Sequence, residues 1–111
     1  MIDIDTISDR VAEIQDKIAT ALEEVESDKG ASPALRAVVR ELNQQCEEMM
    51  DDIDEAENEP VREHVIELEQ AADSAKVAAE AEKNLKANTR GAIIDAHEAI
   101  SALKADTGEQ F

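Results

Sequence analysis

SPALRAVVRELNQQCEEMMDDIDEAE, residues 32–57, is the stretch that decides how the rest of the chain is read. Ser32 offers a hydroxyl to the orphan amides of a helix start, and Pro33 suits the first helical position, where a missing N–H costs nothing. From there Leu35, Val39, Leu42, Cys46, Met49, Ile53 and Ala56 recur at spacings of 4, 3, 4, 3, 4 and 3. Such spacing holds one apolar stripe along a helix, the seam of a helix packed lengthwise by other helices. The reading predicts a helix over 33–57.

The same period runs on both sides of it. Upstream, Ile4, Ile7, Val11, Ile14, Ile18, Ala21 and Val25 predict a helix over 5–28, with Asp3, Asp5 and Thr6 as caps and Lys29-Gly30 as its end. Downstream, Asn58-Glu59-Pro60 repeats the cap-then-proline logic, and Val61, Val65, Leu68, Ala72, Ala75 and Ala79 predict a third helix over 60–87. Its second half is nearly all alanine on the core face, which permits close approach but buries little apolar area per turn. Ala87-Asn88-Thr89-Arg90-Gly91 reads as a break before a shorter fourth helix over 90–105, seamed by Ile93, Ala96, Ile100 and Leu103. The other reading carries the third helix unbroken through Gly91, at about 1 kcal/mol relative to alanine.

No strand pattern is present, and no repeat is visible at the level of residue identity. The expected fold is all-α: an antiparallel up-down bundle of four helices, three long and one shorter, or three helices if the last two are continuous. Residues 1–106 form one domain in this reading, and 107–111 a frayed tail.

Charge bounds the function. The 111 residues carry 28 acids against 11 bases, a net charge of −17. Such a surface repels nucleic acid and anionic membrane alike. Residues 1–59 hold 18 acids and five bases, residues 60–111 ten acids and six bases. A partner drawn by this charge is therefore basic and meets the first half. Phe111 is the only aromatic residue, so stacking platforms for bases are missing. A single cysteine excludes an internal disulfide and a cysteine-ligated zinc. The opening MIDIDTISDR has acids where a signal peptide needs bases, and no apolar run reaches the roughly 20 residues of a membrane span. A cytoplasmic protein is expected.

Two groups of residues stand out as interaction candidates. Glu47, Glu48, Asp51, Asp52, Asp54 and Glu55 crowd the end of the second helix, where the helix dipole favours cations. Local conflicts of this kind occur at functional sites, so these acids are a candidate surface for a basic protein, with the helix acting as a nucleic-acid mimic. Leu22, Val38, Met50, Ile66 and Ile94 lie beside the seams and form a candidate apolar interface. A short fourth helix would leave part of that surface uncovered, and a homodimer would cover it.

Chemistry finds little support. His64 flanks the core position Val65, as a phosphotransfer histidine would, but Glu67 and Leu68 stand where that pattern has lysine and glycine; His97 is followed there by Ile100 and Ser101. Neither histidine has a glutamate three residues earlier, so the di-iron bundle motif is absent. Asp51-Asp52-Ile53-Asp54-Glu55 lacks the turn glycine of a calcium loop. Cys46 occupies a seam and reads as a buried structural thiol. No catalytic residue, cofactor site or metal site is expected. The leading expectation is a non-enzymatic bundle working through protein–protein interaction, as an adaptor, assembly factor or chaperone-like protein, and self-associating. The alternatives are the acidic surface acting on a basic protein, and a histidine phosphotransfer or small-molecule bundle with an alanine-lined groove.

Overall fold

The computed structural model describes residues 4–53 and 58–108, with side chains from 6 to 51 and from 63 to 106. Four helices account for nearly all of it: α1 (Ile4–Ser27), α2 (Pro33–Ile53), α3 (Asn58–Ala81) and α4 (Ala87–Gly108). Each packs on two neighbours in the ring α1, α2, α3, α4, and among the described residues the backbones of the diagonal pairs do not approach closely. Short loops make successive helices antiparallel, and an ion pair from Arg10 to Asp106 sets the start of α1 beside the end of α4. The result is an antiparallel four-helix bundle 42 Å long.

The described seam side chains all point inward. Val11, Ile18, Val25, Leu35, Val39 and Cys46 from the first two helices meet Ala75, Ala79, Ala96, Ile100 and Leu103 from the last two, each with no exposed surface. The α3 alanines Ala72, Ala75 and Ala79 are buried in this core, whereas Ala71 lines an open groove between α2 and α3.

The end of α1 and the start of α2 fall within a residue of expectation, the expected end of α2 at 57 lies outside the described residues, and the departures are around the third loop and at the end of α4. α3 stops at Ala81, six residues before the expected 87, and α4 begins at Ala87. At 22 residues α4 is not shorter than the 21-residue α2. The reason is a cap from elsewhere in the chain. Asp28, in the α1–α2 loop and 1% exposed, accepts hydrogen bonds from the Lys86 amide (2.9 Å) and the Thr89 hydroxyl (2.7 Å). A carboxylate there satisfies an orphan donor and favours the positive end of the α4 dipole. Gly91, expected at the break, sits inside α4 as an exposed helical residue. α4 also runs through Thr107 and Gly108, two residues into the expected tail.

The loops explain the architecture further. α1 and α3 end 54 residues apart (Ser27, Ala81), and α2 and α4 start 54 residues apart (Pro33, Ala87). Each buried residue from Val11 to Met49, Asp28 apart, lands on another buried residue 54 positions later. The bundle is thus two copies of one helical hairpin related by a pseudo-two-fold axis. This is a repeat of register rather than identity: Val11/Val65, Lys29/Lys83 and Arg36/Arg90 match, whereas Ile18/Ala72 and Leu42/Ala96 do not.

The loop contacts obey the same symmetry. Asp28 takes the Lys86 amide, and its mate Glu82 takes the amide of Ser32, the mate of Lys86 (3.1 Å). Arg36 donates to the Asp28 carbonyl and Arg90 to the Glu82 carbonyl. Gly30 meets its own mate, Asn84, on the axis. A Cβ on Gly30 would lie 2.1 Å from the Asn84 carbonyl oxygen, so the crossing needs a residue without one. Gly30 has no positive φ. Close approach, rather than the left-handed turn expected of a helix-ending glycine, explains it.

Candidate functional site

Where the cations go decides which surface remains charged. Around α4 they are spent in cross-helix pairs: Arg10 with Asp106 and Lys17 with Asp95 join α1 to α4, and Lys104 with Glu69 joins α3 to α4. His97 Nε2 meets Asp73 Oδ1 across the same α3/α4 seam. The Asp95 carboxylate raises the pKa of Lys17 above its ordinary range, by hydrogen bond first and charge second.

On α2 the pattern differs. Arg40 makes a two-pronged pair with Glu26 of α1 (2.6 and 2.9 Å), and its hydrogen bonds pull the Glu26 carboxyl below the usual range. Beyond Arg40 the helix has no cation. Glu41, Glu47 and Glu48 are instead met by amides one turn away, donated by Gln45, Asn43 and Gln44. An amide positions a carboxylate without cancelling its charge. Glu41, Glu47, Glu48 and Asp51 therefore form an exposed row of acids that no lysine or arginine among the described residues pairs with.

Beside that row runs an open groove between α1 and α2, of about 610 Å³. Ala19 and Leu22 supply its apolar floor, and Glu23, Glu26 and Glu47 its rim. Gln15 bridges the two helices at one end, donating to Asn43 (2.9 Å), while its own Oε1 is buried without a donor. A second, smaller groove of about 310 Å³ lies between α2 and α3, lined by Val38, Glu41, Gln45 and Glu67 among others.

The expected site residues fall as follows. Glu47, Glu48 and Asp51 are exposed on one helix; the Asp52 side chain, Asp54 and Glu55 lie outside the described residues. Leu22, Val38, Met50, Ile66 and Ile94 are all half-buried. They do not gather on one face, since Leu22 lines the first groove and Val38 the second. Val77 is the one large hydrophobic side chain exposed among the described residues, at 68%. Sequence reading missed Gln15, Ala19, Glu23, Glu26 and Asn43 as parts of a groove. The signal for them was the pairing of positions 54 apart, which sets Leu22 against Lys76.

The chemical candidates fare plainly. Cys46 is fully buried, and burial pushes its thiol up to about 12. His97 is engaged by Asp73, and His64 is half-buried on α3. Among the described residues no group of three His, Cys, Asp or Glu side chains is arranged to hold a metal ion, and no helix is long and apolar enough to cross a membrane.

No protein-family model, curated protein or solved structure matches the chain.

Proposed function

We propose that this bundle is a non-enzymatic interaction module and that its partner is a basic protein, engaged through the acidic side of the first hairpin. The observation that carries the reading is the row Glu41, Glu47, Glu48 and Asp51: the first three are backed by amides, while Arg10, Lys17 and Lys104 are used in pairs around α4. Charge needed only for solubility has no reason to segregate in this way. Uncompensated carboxylates on a rigid helix steer a cationic partner and fix its orientation, while repelling anionic competitors.

Self-association is the weaker reading. Its expected basis was a short fourth helix, and α4 is of full length. Two chains of charge −17 also repel, with only Val77 offering a large exposed apolar side chain among the described residues.

The test is capture from native lysate by the tagged protein and by a Glu47→Gln, Glu48→Gln, Asp51→Asn variant, each at low and at high salt. A basic partner held by the wild type at low salt, released at high salt and lost by the variant supports the reading. Partners held equally by both proteins would sink it.

A further inference from the structure

We infer that the α1/α2 groove receives a helix of the partner, one with an apolar stripe flanked by lysine or arginine. This inference rests on the acidic-surface reading above and adds a site and a form of partner to it.

The pseudo-two-fold axis supplies the internal control. The hairpin α3–α4 has the same backbone plan, so the region equivalent to the groove can be read off by adding 54. Ala19 and Asn43 become Asp73 and His97, which bond to each other across the α3/α4 seam. Leu22 becomes Lys76, which lies 3.9 Å from Glu80. Gln15 becomes Glu69, paired with Lys104 (3.5 Å). In the second hairpin the position is bridged by Asp73 with His97 and by Glu69 with Lys104. In the first, Ala19 and Leu22 line an opening between the Gln15–Asn43 and Glu26–Arg40 bridges.

The rim differs in the same sense. Glu23 and Glu47 of the first hairpin correspond to Val77 and Ser101 of the second. Among the described residues neither Glu23 nor Glu47 pairs with a lysine or arginine, and Glu26 alone has one, Arg40. One scaffold thus carries a seam closed by cross-helix pairs and an open, apolar seam with acidic edges.

Charge complementarity selects the occupant. An open trough between two antiparallel helices matches the side-chain ridge of a third helix laid along it, with apolar residues at helical spacing entering over Ala19 and Leu22. Cations to either side of that stripe meet Glu23 from α1 and Glu47 from α2. A second copy of this chain would bring acids to acids. A nucleic acid would bring phosphates to them.

The experiment uses the full chain and a panel of synthetic helical peptides with a leucine–alanine stripe flanked by lysines, beside matched peptides with glutamine for lysine. Titration calorimetry at low salt should give one peptide per chain, binding weakened by salt and at least about tenfold weaker for the glutamine peptides. Ala19→Asp, which places the residue of the closed hairpin in the open one at an exposed position, should weaken binding by about tenfold or more with the melting temperature preserved. Leu22→Lys should do the same, and Glu23→Gln guards against a folding defect in either. Several peptides per chain, or equal affinity for wild type and Ala19→Asp, would show diffuse attraction to the acidic surface and overturn the groove assignment. So would equal binding of the glutamine peptides, no binding by any peptide, or a dimer dissolved by Leu22→Lys. The lysate capture separates the two readings: a basic partner lost by the α2 variant but kept by Ala19→Asp leaves the acidic surface standing without the groove.

Discussion

Asp28 keeps its charge in a buried place because donors from three residues converge on it. The Lys86 amide, the Thr89 hydroxyl and the Gly30 amide (2.8 Å) all point at its two oxygens. Hydrogen bonds to the ionised form lower its pKa below the ordinary 3.8, with the Lys86 amide the largest cause. A carboxylate bound more tightly as an anion in the folded state stabilises the fold at any pH above its unfolded value. That contribution disappears as pH falls from there through the lower folded value. Asp28→Asn should therefore melt lower than wild type near neutral pH, and the gap should narrow as the pH is taken below about 4. Thermal melts followed by circular dichroism across that range check it. Parallel pH profiles for the two proteins would mean that the charge of Asp28 contributes nothing. Thr89 follows the same logic from the other side: it is buried where its mate is Leu35, and its hydroxyl is what the aspartate holds.

At the scale of helices and loops, two glycines make opposite predictions. Gly30 sits where the loops cross, and a methyl group there collides with the Asn84 backbone. Gly30→Ala should cost about 1–3 kcal/mol, the usual range for overpacking. Gly91 sits in a regular helix with open space where its Cβ would be. Gly91→Ala should stabilise by about 0.5–1 kcal/mol, since alanine loses less backbone freedom. Urea unfolding midpoints measure both, and a shift of the same sign for the two would contradict this account of the loops. The pair also shows what the amino-acid sequence reveals and what it hides. The seams were legible because a 3-and-4 spacing over several turns is a strong local signal, and every described seam residue is buried. The start of α4 was not, because its cap lies 58 residues away from Lys86. Gly91 and Asn88 carried the local signs of a break, and a distant carboxylate outweighed them. The acidic row was half legible: the acids were plain, whereas their amide partners and the groove beside them depend on how two helices face each other. Comparing Leu22 with Lys76 means nothing until the hairpins are known to superimpose.

Over the whole molecule, the pseudo-two-fold axis makes the α1/α4 packing the counterpart of the α2/α3 packing. The second is joined by the short segment 54–57, and the first has no connection although Arg10 and Asp106 hold its ends together. The order of the hairpins along the chain is then a matter of wiring. A circular permutant, opened within 54–57 and closed by a short link from Gly108 to Ile4, would run α3, α4, α1, α2 with every helix keeping both neighbours. It should fold cooperatively to the same helical content, while a permutant opened at Gly30 should not, because that cut severs the crossing at the axis. A scrambled or unfolded first permutant would mean that the 54–57 segment does more than connect. For protein engineering the consequence is direct: this bundle offers new termini at the far end from its locked loops, where a fused sequence would leave the crossing at Gly30 and Asn84 untouched.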